Sequence, residues 1–381
     1  MTDLARVIRP GDGIVVGQAC AEPQTLVEAL VAQRARLSGC RIFLGVNYGG
    51  IVKPPHADHL RLQSYGGIGH NRALSDAGVL DVMRIAYSQI APLIRSGVIR
   101  TDVVLAQVSP PNASGEYSLG LAADYLLPAI EVCRALVVEV NDRVPWTHTE
   151  RLLKKDDFDL IVESSRAPAA PKAKAPGELE AAIARHAAAF VPDGATLEFG
   201  VGVLPDAVCS SLSSKRNLKV HSGTIGDGVV GLLEKNVIHE AHCAMLIGSK
   251  LLFDAARENP RIRLRSSEYT HGAGTLGRIE KFVAINSAVE VDLSGQVNSE
   301  VAGGSYLGAI GGAPDFIGAA NRSPGGVSLV LVPSSRIVDR LTGPVSMPAA
   351  EAGVVVTERG AADLRGCDAA ARSARLRAVM S

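Results

Sequence analysis

Three ionisable side chains lie beside glycine-rich turns in the second half of this 381-residue chain. Glu198 belongs to the apolar stretch TLEF, whereas His221 and Asp227 belong to HSGTIGDGVV, residues 221–230. Carboxylate and imidazole groups are the usual general bases of enzymes that activate a nucleophile. Glu198 also has a structural explanation, because an acid in an apolar strand can lie at a solvated sheet edge. The three residues are therefore candidate bases.

Two glycine-rich stretches are candidate ligand sites. Gly200-Val201-Gly202 lies between an apolar strand and a proline-containing helix start, where the backbone and the helix N–H groups are open to an anion. The second stretch, GGSYLGAIGGAPDF at residues 303–316, has five glycines within ten residues. It either cradles a ligand or packs closely on another backbone, and the first stretch could equally be a tight turn. The spacing is not that of a nucleotide-binding P-loop.

The spacing of histidines and cysteines does not predict a metal site. His239 and His242, in HEAH, are three residues apart rather than four as in HExxH, so we expect a surface or helix-end pair. The six cysteines include no CxxC pair, which favours reduced thiols over disulfides or zinc. We expect no metal.

Composition narrows the class of partners. Lys and Arg total 39, as do Asp and Glu, so the formal net charge is zero and no basic surplus is available for nucleic acid. The N-terminus lacks the apolar segment of a signal peptide, and no apolar run approaches the roughly 18 residues of a membrane span. We expect a cytoplasmic globular protein that binds neither nucleic acid nor membrane.

The elements that position these residues are expected to form two α/β domains, because the chain is too long for one ordinary core. Short β-branched runs such as DVVLAQV and FVAINS alternate with helical patterns. This alternation favours parallel-rich sheets flanked by helices. Ligands bind such sheets at the carboxyl ends of the strands, where the glycine turns lie.

Two halves of the sequence resemble each other. Asp12 and Asp193 are 181 residues apart, and Pro23 and Pro205 are 182 apart. In each half the aspartate precedes an apolar strand and a glycine turn, and the proline opens an apolar helix. This shared order indicates two copies of one architecture. The small, basic, proline-rich segment between the halves reads as a linker. We therefore predict an N-terminal domain over 1–163, a linker over 164–178 and a C-terminal domain over 179–381.

Several segments resemble a known family. GQACAEPQTLVEAL, FGVGVLPDAV, HSGTIGDGVVGLLEK, NSAVEVDLSGQVNSE and GAIGGAPDF are similar to segments of the acetyl-CoA hydrolase/transferase family of class I CoA-transferases, its 4-hydroxybutyrate CoA-transferase branch in particular. The resemblance implies an α/β fold of two tandem CoA-transferase-like (NagB/RpiA-like) domains, a CoA site in the second domain and a homodimer. It also implies that CoA is part of the substrate rather than a permanently bound cofactor. The residues implied to line the acyl-CoA site are Gly200, Val201, Gly202, Val203, Leu204, Gly308, Gly311 and Gly312.

The same resemblance reveals a missing catalytic residue. Members of the family attack an acyl-CoA with a glutamate that directly follows His-Ser or His-Thr, and they form a glutamyl-CoA thioester in a ping-pong reaction. Aligned through His221-Ser222 and Asp227-Gly228, the place of that glutamate is Gly223. Glycine has no side chain with which to form the thioester.

Three interpretations follow. The first is a hydrolase that acts on a thioester, or on the C–C bond of a β-keto acyl-CoA, with Glu198, His221 or Asp227 as the base and backbone N–H groups polarising the carbonyl. The second is an acyl-CoA:carboxylate CoA-transferase that uses another carboxylate such as Glu198 and a small carboxylic acid. The third is a non-catalytic acyl-CoA binding protein. The absence of the glutamate favours hydrolysis.

Overall fold

The computed structural model describes residues 2–172 and 175–380. Among these residues the chain divides into two compact units, unit 1 with residues 1–171 and 244–268 and unit 2 with residues 172–243 and 269–381. The chain passes from unit 1 to unit 2 within the predicted linker, of which Ala173 and Lys174 lie outside the described residues. Segment 244–268 groups with unit 1, whereas the sequence-based division assigned it to the second domain. That division stays a prediction.

The strands and helices alternate along most of the chain, as the sequence pattern predicts. The strands are β1 (Gly13–Val16), β2 (Arg41–Phe43), β3 (Arg61–Ser64), β4 (Leu80–Val82), β5 (Val103–Val108), β6 (Ala135–Asn141), β7 (His148–Thr149), β8 (Leu160–Ser164), β9 (Thr196–Phe199), β10 (Leu218–Ile225), β11 (Ile238–Leu246), β12 (Ile262–Leu264), β13 (Phe282–Ser287), β14 (Glu290–Asp292), β15 (Val297–Asn298), β16 (Val301–Ala302), β17 (Ser305–Tyr306), β18 (Val327–Leu331), β19 (Ile337–Val338), β20 (Val354–Thr357) and β21 (Gly360–Asp363). The helices are α1 (Gln24–Ala32), α2 (Asn71–Asp76), α3 (Ile90–Arg95), α4 (Leu126–Val132), α5 (Glu178–Ala188), α6 (Val203–Ser210), α7 (Gly228–Glu234), α8 (Lys250–Ala256), α9 (Ser267–Thr270), α10 (Ala273–Leu276), α11 (Ala313–Arg322) and α12 (Ala369–Ala378).

Unit 1 contains a parallel sheet with the strand order β4-β3-β2-β1-β5-β6-β8. All six residues of β5 are buried. A continuously apolar strand of this kind indicates that both faces of the sheet are covered. Leu26 and Leu30 of α1 pack into the apolar core on this sheet together with Ile14 and Leu105.

Unit 2 has strands in the order β21-β20-β18-β13-β9-β10-β11. β9 pairs in parallel with β10 and β13, and β18 pairs in parallel with β13 and β20. β21 pairs antiparallel with β20. Helix α11 packs its buried residues Phe316 and Ile317 against a core that includes Phe282 and Ala284 of β13.

The two units share a strand arrangement. The first strand of each lies inside its sheet, β1 between β2 and β5, and β9 between β13 and β10. Asp12 and Asp193, the residues matched in the sequence, stand just before these two strands. The agreement supports the duplication inferred from the sequence. It also places the turn after β9 where the order of the sheet reverses, the usual position of a ligand in such folds.

Candidate active site

The first half of the stretch HSGTIGDGVV is strand. Residues 221–225 complete β10, and the break comes later, at Gly226 and Asp227, before α7 begins at Gly228. Gly223 is therefore held by the sheet rather than by a flexible turn. Ser222, next to it, donates a hydrogen bond to the backbone oxygen of Phe199 at the end of β9 (3.1 Å). The position that the resemblance predicts for the family's nucleophile is thus held in place by the sheet of unit 2.

The space in front of Gly223 is filled by a histidine. An ideal Cβ on Gly223 would lie 3.0 Å from Nε2 of His271 and 3.5 Å from Cε2 of Phe316. An ideal Cβ on Gly312 would lie 2.7 Å from the same Nε2. Two glycines from distant parts of the sequence therefore leave room for one imidazole, and a larger residue at either position would crowd it.

His271 lies between α9 and α10 and is only 4% exposed. Its Nδ1 is 2.9 Å from Oγ1 of Thr270. Its ring packs against Phe316, with the centroids 4.6 Å apart and the planes at 49°. The side chain is thus held by a polar neighbour at one nitrogen and by an aromatic ring on its flank, while Nε2 lies beside Gly223 and Gly312.

His221, a candidate base from the sequence, supports this arrangement from behind. Its Nε2 donates a hydrogen bond to the backbone oxygen of Thr270 (2.9 Å). Burial lowers the pKa of His221 to about 4. The imidazole is therefore neutral at neutral pH, and its observed bond ties β10 to the segment that carries His271.

Glu198 is enclosed in unit 2. The side chain is 2% exposed, and its Oε2 accepts hydrogen bonds from Nδ2 of Asn286 (2.7 Å) and from the backbone N–H of Ile285 (3.2 Å). Burial raises the pKa of this carboxyl to about 8. At neutral pH the group is mostly a protonated acid, which accepts a proton poorly and is a weak nucleophile.

Asp227, the third candidate base, stands at the start of α7. Its charge, after burial as the larger cause, helps to raise the pKa of Asp206 in the first turn of α6 to about 6. The two carboxylates are therefore near each other at the start of two packed helices. The structure does not bring Asp227 into the contacts around His271 described above.

The glycine loops combine open and closed positions. Gly202 (φ +129°) and Gly311 (φ +59°) have backbone angles that favour glycine, and a Cβ on either would meet nothing within 4 Å. Gly308, in contrast, packs against the backbone oxygen of Ser299. Gly202 and Gly311 are thus open positions, as a ligand-binding loop would have, whereas Gly308 is packed against another part of the backbone. Val201 and Leu307, one in each loop, are 44% and 41% exposed, unusual for large apolar side chains.

Sequence reasoning missed His271. The local sequence, YTHGAG, contains a histidine before a glycine but no spacing that identifies a catalytic group. His271 becomes a candidate site residue only because folding brings it beside Gly223. The other histidines singled out, His239 and His242, lie on β11 rather than at a helix end, with His239 exposed. Among the described residues, no group of three or more His, Cys, Asp or Glu side chains is arranged to hold a metal ion.

Comparisons with known proteins agree with this architecture. The model of the acetyl-CoA hydrolase/transferase N-terminal domain matches residues 1–170, and that of the C-terminal domain matches residues 248–380. The chain is 33% identical over 373 residues to the 4-hydroxybutyrate coenzyme A transferase of Clostridium kluyveri, covering 93% of this chain and 87% of that protein. It is 27% identical to an acetyl-CoA hydrolase of Candida albicans, over 70% of this chain and 57% of that protein.

Solved structures share the fold. The crystal structure of RipA from Yersinia pestis has a TM-score of 0.93 at 26% identity, covering 99% of this chain and 92% of that one. The 4-hydroxybutyrate CoA-transferase from Porphyromonas gingivalis has a TM-score of 0.80 at 28% identity, with the same coverage. No helix in the described part of the chain has the length and apolar character that a membrane span requires. The chain belongs to the acetyl-CoA hydrolase/transferase family.

Proposed function

We propose that this chain hydrolyses acyl-CoA thioesters to a carboxylic acid and free CoA. The proposal is supported by Gly223, which lies in strand β10 at the position where the family resemblance leads one to expect a glutamate. A glutamyl thioester cannot form at a residue without a side chain. Water is the simplest nucleophile to take its place, which converts a two-step transfer into a one-step hydrolysis.

The state of Glu198 favours water over a substitute carboxylate. A nucleophilic carboxylate must be ionised and able to reach the thioester. Glu198 is buried, bound to Asn286, and has its pKa raised to about 8 by that burial. A transferase built on Glu198 would have to ionise and move this side chain in every turnover.

In the proposed reaction, the oxygen of water attacks the thioester carbonyl and forms a tetrahedral intermediate with a negative oxygen. The N–H groups of Gly200 and Gly308 already donate to backbone oxygens, so the expected donors to this oxygen are backbone N–H groups of the loops at 201–204 and 309–312. The C–S bond then breaks, and the CoA sulfur leaves with a proton from the attacking water. The exposed apolar side chains of Val201 and Leu307 would contact apolar parts of the acyl-CoA.

A second candidate is CoA transfer to a small carboxylic acid. It is favoured by the Clostridium kluyveri relative, which is named a transferase and is 33% identical. Either candidate function is compatible with a cytoplasmic location. Either is also compatible with a homodimer, which the family resemblance leads us to expect.

The deciding experiment measures thiol release from short, branched and ring-derived acyl-CoAs, with and without acetate. Hydrolysis predicts free thiol without an acceptor and no enzyme thioester trapped by borohydride. CoA movement only after acetate addition, with a trapped adduct mapped to Glu198, would contradict it.

Two other outcomes are distinguishable in the same assay. Cleavage of a β-keto acyl-CoA at its C–C bond would give a carboxylic acid and a shorter acyl-CoA, without thiol release, which product mass spectrometry detects. A binding protein would leave every acyl-CoA intact, although CoA would still raise its melting temperature.

A further inference from the structure

We propose that His271 is the catalytic base of this hydrolysis, with Nε2 as the atom that takes the proton of the attacking water. The inference rests on the proposed function and adds the group that makes water reactive. It starts from geometry: Nε2 is 3.0 Å from where the first side-chain atom of residue 223 would stand. The imidazole therefore lies next to the point where the side chain of a glutamate at residue 223 would begin.

The surroundings of His271 are consistent with a site shaped around an imidazole. A Cβ on Gly312 would lie 2.7 Å from Nε2 and 2.8 Å from Cε2 of Phe316, closer than real Cβ contacts. A Cβ on Gly223 would also crowd the ring. Glycine at both positions allows the ring to approach β10 and the start of α11 together. Phe316 then supports it from the side at a centroid distance of 4.6 Å.

The contact at the other nitrogen fixes the orientation of the ring. Nδ1 is 2.9 Å from Oγ1 of Thr270. When Nδ1 carries the proton and donates it to this oxygen, Nε2 presents a lone pair, the state that a general base requires. Thr270 is itself fixed by the hydrogen bond from His221 to its backbone oxygen, 2.9 Å long. His221 is thus a positioning residue, acting through Thr270.

The step balances with the substrate and water alone. Nε2 removes one proton from water as the water oxygen bonds to the carbonyl carbon. The tetrahedral intermediate then collapses, the C–S bond breaks, and the imidazolium returns its proton to the departing CoA sulfur. The products are a carboxylic acid and CoA thiol, and His271 is regenerated without a covalent enzyme intermediate.

The main test replaces His271 with glutamine, which keeps a polar side chain of similar length but cannot act as the base. We expect His271→Gln to lower kcat for thiol release by about 10² to 10⁴-fold, with a smaller change in KM and with the CoA-induced rise in melting temperature retained. The matched control is His239→Gln, which removes an exposed histidine from β11. It should keep wild-type kinetics.

A pH profile separates a base from a structural residue. The wild-type rate should rise with the ionisation of one group, and this rise should be absent from the residual activity of His271→Gln. The adjoining elements carry other ionisable residues: Lys219 and His221 on β10, Glu268 and Tyr269 on α9, and Asp315 and Arg322 on α11. Asp315→Asn should keep the wild-type profile.

Three results would overturn the assignment. They are near-wild-type kcat in His271→Gln, an unchanged pH-dependent rise in that variant, and transfer of the rise to Asp315. If His271→Gln does not fold, a comparison of the pH profiles of the wild type and Asp315→Asn still shows whether the rise in rate comes from the ionisation of Asp315. His271→Asn then repeats the kinetic test. A wild-type protein that releases no thiol from any acyl-CoA would instead contradict the proposed function.

Discussion

At the scale of single residues, Gly223 and His271 compete for the same space. An ideal Cβ on Gly223 is 3.0 Å from Nε2, a distance tighter than nine in ten real Cβ contacts. A glutamate introduced at 223 alone therefore requires the imidazole to shift by at least a few tenths of an ångström. Reactivity at this position depends on the pair of residues rather than on either one.

This competition predicts the outcome of a paired substitution. Gly223→Glu should form little glutamyl-CoA adduct, because the imidazole obstructs the new side chain. Gly223→Glu combined with His271→Ala should form more of it, detected by borohydride trapping and peptide mass. His271→Ala alone is the control and should form none at residue 223. Equal adduct in the single and double variants would show that the imidazole does not obstruct the position.

At the scale of elements, the start of α11 sets the position of the imidazole. Gly312 directly precedes this helix, and a Cβ there would be too close to both His271 and Phe316. One of the rings would therefore have to move. The start of the helix thus requires a residue without a side chain at position 312, so that both rings can keep their places.

We expect Gly312→Ala to reduce kcat by roughly 10 to 100-fold, because a misplacement of about 1 Å at a reacting group has a cost of this size. The matched control is Gly231→Ala in α7, where a Cβ would meet nothing within 4 Å. That variant should keep its activity and unfold at equal or higher temperature, since alanine favours helix. Thiol-release kinetics and thermal melts test both, and wild-type kcat in Gly312→Ala would be inconsistent with the steric argument.

The sequence predicted the elements better than the site. The runs DVVLAQV and FVAINS are strands β5 and β13, and the repeat between Asp12 and Asp193 corresponds to equivalent first strands, because burial imposes local apolar patterns. His271 had no such pattern. Its place beside Gly223 depends on the packing of β10, the α9–α10 connection and α11, which are distant in sequence. The resemblance predicts that position 223 lacks the family's glutamate, but it gives no sign of the histidine that lies beside that position.

At the scale of the whole molecule, buried carboxyls link stability to pH. Burial raises the pKa of Glu22 to about 7, of Asp124 to about 6 and of Glu198 to about 8. A group whose pKa is raised by folding stabilises the fold fully at pH values below its unfolded pKa. This contribution is lost as pH rises through the folded pKa. All three groups therefore weaken the folded state as the pH rises from their unfolded pKa values, about 4, through their folded pKa values of about 6 to 8.

Glu198→Gln should remove the largest of these effects while keeping an oxygen that accepts from Asn286. Between pH 4.5 and 8 the wild type should lose roughly 3 to 5 kcal/mol of unfolding free energy that the variant does not lose, at about 1.4 kcal/mol per pKa unit. Urea unfolding across this range measures the difference. Glu163→Gln, at an exposed position of β8, is the control. Parallel stability curves for wild type and Glu198→Gln would refute the assignment.

The shared space of Gly223 and His271 also constrains how such a protein can arise. An ancestor with glutamate at 223 that gained the imidazole first would crowd its own nucleophile, whereas one that lost glutamate first would have neither group. Because either single substitution would give an enzyme of reduced activity, the two positions should change together or through a third, permissive substitution. Across descendants of such a lineage, glycine at 223 should be inherited together with histidine at 271, and this pair should mark the branch more reliably than either residue alone.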